Sequence, residues 1–152
     1  MGGRLGAGRA TGAGTRVSAI PDDVRELFAG RNYAHLATTG PQGPTSVPIW
    51  IDVEGDRLVF FTQVDSRKAL NIGRDPRVAL SVVDRDDPYR QADVRGHVVE
   101  RLEGDAAIAA MDRLSQKYIG APFPMRNPDT TIAFLVEVDK ARHMKLPFEH
   151  QG

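Results

Sequence analysis

Val47, Ile49, Ile51 and Val53 recur at every second residue, and only Glu54-Gly55-Asp56 separates them from the next apolar stretch, Arg57–Gln63. Period-two alternation puts all four branched side chains on one face of an extended chain, and so short a turn folds the next strand straight back. A chain written this way is committed to antiparallel β-structure. The same chemistry repeats on both sides. Tyr33–Thr38 reads as a strand joined to Thr45–Val53 through the turn Gly40–Pro44, and after Pro76 come an apolar strand, Val78–Val83, the loop Asp84–Pro88 and a long strand, Tyr89–Leu102. Gly96 inside that long strand predicts a bulge or a close backbone approach. Thr131–Val138 supplies a sixth strand, beyond which the chain is expected to run out through Met144 to Gly152.

Three helices interrupt the strands. The first starts at Pro21, with Asp22, Asp23 and Glu26 complementing its positive end and Gly30 stopping it. The second is short, from Ser66 to about Gly73. The third spans Asp105–Tyr118, with Ile108, Met111, Leu114 and Tyr118 on one stripe and Gly120 and Pro122 ending it. Ala121–Asp129 is expected to be irregular. Six strands with short helices between them predict a mainly β fold, an antiparallel split β-barrel of Greek-key type, because closure removes exposed strand edges.

Residues 1–17 form a glycine- and alanine-rich arm carrying Arg4, Arg9 and Arg16 and no acid; it is expected to be disordered, leaving residues 18–152 as a single domain. Lysine plus arginine equal aspartate plus glutamate at 20 each, so no overall charge draws the chain to nucleic acid or to a membrane surface. Any anion site must be local. The absence of cysteine excludes disulfides, thiolate nucleophiles and cysteine-bound metal, which suits a reducing cytoplasm. No stretch has the apolar length of a secretory signal or a spanning helix, so a cytoplasmic, soluble protein is expected.

Asp65-Ser66-Arg67-Lys68 stands out because two cations occupy the first turn of a helix, where the dipole disfavours them by a few tenths of a kcal/mol each. Free N–H groups, the Ser66 hydroxyl and two cations together make a phosphate socket. On physical grounds alone, Ser66 as a plain helix cap with Arg67 and Lys68 solvated is an equal alternative. His35, His97, His143 and His150 are scattered without metal-ligand spacing, and no metal ligand and no catalytic acid or base is assigned.

The stretch from Phe60 through Ser66-Arg67-Lys68 to Asp75-Pro76-Arg77-Val78 resembles the strand, short helix and Asn-Pro-Arg-Val-like turn that enclose the cofactor phosphate in the pyridoxamine 5'-phosphate oxidase-like split-barrel superfamily, with Asp75 where Asn is common. Thr45-Ser46-Val47-Pro48-Ile49-Trp50 is similar to the family strand lying along the flavin-type ring. Val94-Arg95-Gly96-His97 and Lys117-Tyr118-Ile119-Gly120 resemble later family elements, so the likeness covers residues 20 to 145. It implies that Arg67 and Lys68 hold a phosphate, that Ser66 and Thr62 donate hydrogen bonds nearby, with Phe61 and Gln63 beside them, and that Val47, Pro48, Ile49 and Trp50 flank the ring. Pro48 offers no N–H to a ladder, leaving a gap where a ring edge fits; Ile51 reads as core, and Trp50 can serve either purpose.

The resemblance further implies a homodimer with two cofactor sites across its interface, to which Arg95 and Tyr118 are candidate contributors. The vitamin oxidases of the family have a C-terminal segment with Trp and Arg that grips the substrate phosphate, whereas no Trp follows Trp50 here. The compact length and the overall run of motifs look more like the deazaflavin branch, which implies a reductase passing a hydride from reduced coenzyme F420 to an electron-poor conjugated small molecule, with the basic arm helping to hold the longer anionic tail. An FMN-dependent oxidoreductase and a non-catalytic flavin or haem carrier are the alternatives.

Overall fold

The computed structural model describes residues 20–152; the expected N-terminal arm lies outside the described residues. The elements run α1 (Asp22–Ala29), β1 (Ala34–Gly40), β2 (Gly43–Ile49), β3 (Asp52–Glu54), β4 (Arg57–Gln63), α2 (Arg67–Arg74), β5 (Arg77–Val83), β6 (Arg90–Glu103), α3 (Gly104–Ile119) and β7 (Thr131–Lys145). Every strand pair is antiparallel, in the order β2-β1-β5-β6-β7-β4-β3. β2 and β3, at opposite edges of that sheet, are consecutive in the chain. Only Trp50 and Ile51 lie between them, and three peptide steps span at most about 11 Å. The two edges must therefore meet, and the sheet is rolled into a split barrel.

Among the described residues, this junction corrects the expected strand count from six to seven. Thr45–Val53 is not one strand: its first half pairs with β1 and its second half with β4, and it breaks where the chain crosses the seam. The final strand also continues past Val138 to Lys145, because β6 reaches far enough to pair Arg90 with Lys145. β4 pairs with β7 only as far as Glu137. Beyond that point β7 is held on one side, and past Val138 it carries mostly polar residues, so its apolar signal fades while its backbone pairing continues.

Phe28 of α1, Leu36, Ile51, Leu58, Phe60, Leu80, Val94, Phe134 and Val136 fill the barrel, none more than 2% exposed. A second cluster, Val59, Ala107, Ala110, Ala133 and Leu135, glues α3 to the outer surface of β4 and β7. Both faces of β4 are thus covered, which explains why Leu58-Val59-Phe60-Phe61 reads as a continuous apolar run. α2 lies against β1, and its Asn71 side chain, fully buried, donates to the hydroxyl of Thr38 at 3.0 Å and of Thr45 at 3.4 Å. Among the described residues, no helix is long and apolar enough to cross a membrane.

Gly96 behaves as its placement predicts. The β6–β7 register shifts between Arg95 and Gly96, and a Cβ at Gly96 would lie 2.3 Å from the carbonyl oxygen of Glu137. Backbone cannot swing aside as a side chain would. Gly96→Ala is expected to destabilise the barrel by roughly 1–3 kcal/mol, the usual range for overpacking, measured as a lowered urea midpoint.

Candidate functional site

β4 delivers Phe61, Thr62 and Gln63 to the rim of the barrel, and the turn after it starts α2 at once. Ser66 is the N-cap of α2: its Oγ accepts from the Ala69 N–H at 3.2 Å and from the Thr62 hydroxyl at 2.9 Å. The capping role weighed from sequence is therefore present, and Thr62, nearly buried, braces the cap. No acid occupies the first turn of α2. Arg67 is exposed, whereas Lys68 is half-buried, and burial pulls its pKa below the ordinary lysine value. Among the described residues neither cation forms an ion pair. A partly desolvated ammonium beside unpaired helix N–H groups is an arrangement that an anion would relieve.

Lys68 lines a cavity of about 320 Å³. Pro48, Ile49 and Trp50, from the end of β2 and the seam crossing, line it too, together with Phe61, Thr62 and Gln63 from β4 and Phe123 and Met125 from the loop after α3. The cavity lining combines one cation, Lys68, with the aromatic rings of Trp50, Phe61 and Phe123. Trp50 anchors these rings: it meets Phe61 and Phe123 edge-on, with centroids 6.2 and 5.9 Å apart, and stacks face-on against Tyr118 at 5.2 Å.

Two adjacent residues of α3 fix the seam from behind. The Tyr118 hydroxyl donates to the Asn32 carbonyl at 2.5 Å and accepts from the Ile51 N–H at 3.2 Å, while its ring also stacks on Tyr33. Lys117 Nζ donates to the carbonyls of Phe28 at 2.8 Å and Ile51 at 2.5 Å, with the Asp52 carboxylate 3.5 Å away. Burial lowers the Lys117 pKa despite that carboxylate. The orientation of Trp50, and so of the cavity wall, follows from these contacts.

Burial pushes the Tyr118 pKa up to about 12 from 10.0. A phenol whose folded pKa is raised favours its neutral form in the native state, so its contribution is fully present below the unfolded pKa and is lost as pH rises through the folded value. Tyr118→Phe is expected to be less stable than the wild type at neutral pH and to lose less stability between pH 10 and about 12. Thermal midpoints measured across that range check this.

Of the residues singled out from sequence, Pro48, Ile49, Trp50, Phe61, Thr62, Gln63 and Lys68 line this cavity, and Ser66 and Arg67 stand at the helix start beside it. Val47 packs against the barrel core, and Tyr118 lies behind Trp50 with its hydroxyl committed to backbone groups. Arg95 is elsewhere within this chain: it lines a groove of about 670 Å³ on the outer sheet surface, with His35, Ser46, Ala79 and Lys140 among its neighbours. Phe123 and Met125 are cavity residues that no periodicity marks, because they lie in an irregular proline-flanked loop. Nor does any spacing along the chain signal that the β6–β7 pairing sets His97 Nδ1 2.9 Å from Asp139 and Nε2 3.9 Å from Glu137.

Comparison with known proteins agrees with this architecture. A solved F420 reductase superposes with a TM-score of 0.69 at 30% identity, over 81% of this chain and 98% of its own. A heme binding protein from Mycobacterium smegmatis shares the fold, with a TM-score of 0.67 at 23% identity, over 89% of this chain and 57% of its own. A pyridoxine/pyridoxamine 5'-phosphate oxidase from Kineococcus radiotolerans is 39% identical over 82 residues, 52% of this chain but only 36% of that enzyme's length. The profile of the pyridoxamine 5'-phosphate oxidase family matches residues 20–145. With the barrel, the seam crossing and the strand-to-helix turn at Ser66 all inside that span, the chain belongs to the pyridoxamine 5'-phosphate oxidase family, an oxidoreductase family that binds flavin-type cofactors.

Proposed function

We propose that this chain is a deazaflavin-dependent reductase, a cytoplasmic homodimer in which reduced coenzyme F420 passes a hydride to a conjugated, electron-poor small molecule. The observation that carries this reading is the cavity whose lining joins half-buried Lys68 at the start of α2, without an ion pair among the described residues, to the aromatic rings of Trp50, Phe61 and Phe123. A phosphorylated ring cofactor combines the same two chemistries. The similarity to an F420 reductase over nearly all of that protein supports deazaflavin as the choice.

When bound, the cofactor supplies the hydride chemistry; the protein binds, orients and excludes water. Lys68 and Arg67 would hold the phosphate with charge-assisted bonds, and the N–H groups opening α2 would add to them. Pro48, with no N–H of its own, and Ile49 present an apolar edge to the ring. Trp50, held flat against Tyr118, keeps that wall rigid. No acid or base is assigned to the proton that accompanies the hydride. In a homodimer the groove around Arg95 lies on sheet surface available to a second copy, whose residues would complete each site. Sedimentation is expected to report a species of about twice 16.6 kDa.

Titration of the purified protein with F420 and with FMN, followed by cofactor absorbance and fluorescence, tests the proposal. Binding of F420, and faster oxidation of its reduced form when an electron-poor enone or quinone is added, is the expected result. Tighter binding of FMN would reassign the cofactor. Tight F420 binding with no acceptor-dependent oxidation would reassign the protein as a carrier.

A further inference from the structure

The loop between α3 and β7 is tied down at both ends and bare in the middle. At its start Gly120 caps α3 in the left-handed region, with φ of 65°, its N–H bonded to the carbonyls of Ser115 and Gln116, and the Ser115 hydroxyl donates to the Ala121 carbonyl. At its end the Arg126 guanidinium makes a two-pronged pair with the Asp112 carboxylate, one prong at 3.0 Å, and the Asn127 carbonyl accepts the N–H groups of Thr130 and Thr131. Between these anchors, residues 122–125 make no hydrogen bond among the described residues. The segment is stiffened instead by Pro122 and Pro124, which fix their own φ and restrict the residues preceding them.

Phe123, between the two prolines, is the inward-facing residue of an otherwise exposed stretch. Its ring stands edge-on to both Trp50, at 5.9 Å and 88°, and Phe61, at 5.3 Å and 75°. Met125 follows it along the cavity rim, 68% exposed. A cavity of about 320 Å³ is at the small end of ligand sites, which run from roughly 300 to 1,000 Å³.

We propose that Phe123 is a specificity-determining residue: a fixed wall, held by its flanking prolines and the two loop anchors, that limits the size of the planar molecule admitted beside Trp50. The inference rests on the proposed function for calling that molecule the ring of the cofactor, but the size limit is a property of the cavity itself. Because the wall is stiff, it discriminates by excluding bulk. A flexible side chain there would adapt to the ligand.

Trp50 is the chain's single tryptophan and touches Phe123, so its fluorescence reports binding without any turnover. The test uses naphthalene-2-sulfonate and pyrene-1-sulfonate, planar probes of different size with the same charge, so that attraction to Lys68 is common to both. Phe123→Ala is expected to tighten pyrene-1-sulfonate binding by about tenfold or more while changing naphthalene-2-sulfonate by less than about threefold. Phe123→Leu, which keeps an apolar plug, should fall between, and it serves as the readout if the alanine variant does not fold. Equal changes for both probes, pyrene-1-sulfonate binding the wild type as well as the variants, or no binding of either probe to any of the proteins would overturn the proposal. Parallel titration with F420 separates the two claims: failure of F420 to bind removes the proposed function, while the probe comparison still decides the role of Phe123.

Discussion

Replacing Arg67 and Lys68 together by alanine is expected to weaken cofactor binding by a hundredfold or more, since charge-assisted hydrogen bonds contribute roughly 1.5–3 kcal/mol each. The two residues should not contribute equally. Arg67 is exposed, and water screens what it can give; Lys68 is half-buried, and that burial pulls its pKa below the ordinary lysine value. Lys68→Ala alone should therefore account for most of the loss. The double variant also carries its own folding control. Cations in the first turn of a helix work against its dipole, so their removal should leave the cofactor-free thermal midpoint unchanged or slightly raised. Weak binding in a protein of undiminished stability would locate the loss in the socket; retained affinity would remove the socket from the site.

Lys117→Met is expected to produce the largest loss of stability, roughly 2–4 kcal/mol, because a thioether fills the space but strands the carbonyls of Phe28 and Ile51. For a chain of this length each kcal/mol lowers the thermal midpoint by about 2–4 °C, so a fall on the order of 10 °C should be seen. The penalty is large because those carbonyls belong to different parts of the fold. Phe28 closes α1, Ile51 sits in the seam crossing, and Lys117 itself is in the last turn of α3. One ammonium thus ties two helices to the point where the barrel edges meet. Trp50 lies next to that point, so its fluorescence should shift in the same variant, linking stability to cavity shape. An unchanged midpoint would mean that water replaces the ammonium at no cost.

Most of the fold is legible in the sequence because antiparallel strands with one face on the core must alternate, and short turns force sequential neighbours to pair. Val47, Ile49, Ile51 and Val53 keep their alternation straight through the seam. That is why the break at Trp50 and Ile51 is invisible: changing pairing partner does not change which side chains face inward. Gly96 is legible since only the missing Cβ explains a glycine in a long strand. The end of β7 is not, because past Glu137 the strand answers to β6 alone and past Val138 it carries mostly polar residues.

The site divides along the same line. Ser66-Arg67-Lys68 is visible because the cations contradict a local rule, and Pro48 because it cannot serve an ordinary ladder. Phe123 and Met125 obey no period, and only the course of the loop brings them to the cavity. Tyr118 falls on the apolar stripe of α3, but that stripe does not reveal that its hydroxyl seals the Ile51 backbone. Arg95 is a candidate site residue by resemblance alone; its neighbours within the chain are set by the alignment of strands far apart in the sequence.

A crystal structure of the protein with F420 bound tests the central claim most directly. The cofactor phosphate is expected within hydrogen-bonding distance of Lys68 and the first N–H groups of α2, with the ring against Pro48, Ile49 and Trp50. A well-ordered ring lodged in the outer groove beside Arg95, with the start of α2 holding only solvent, would contradict it.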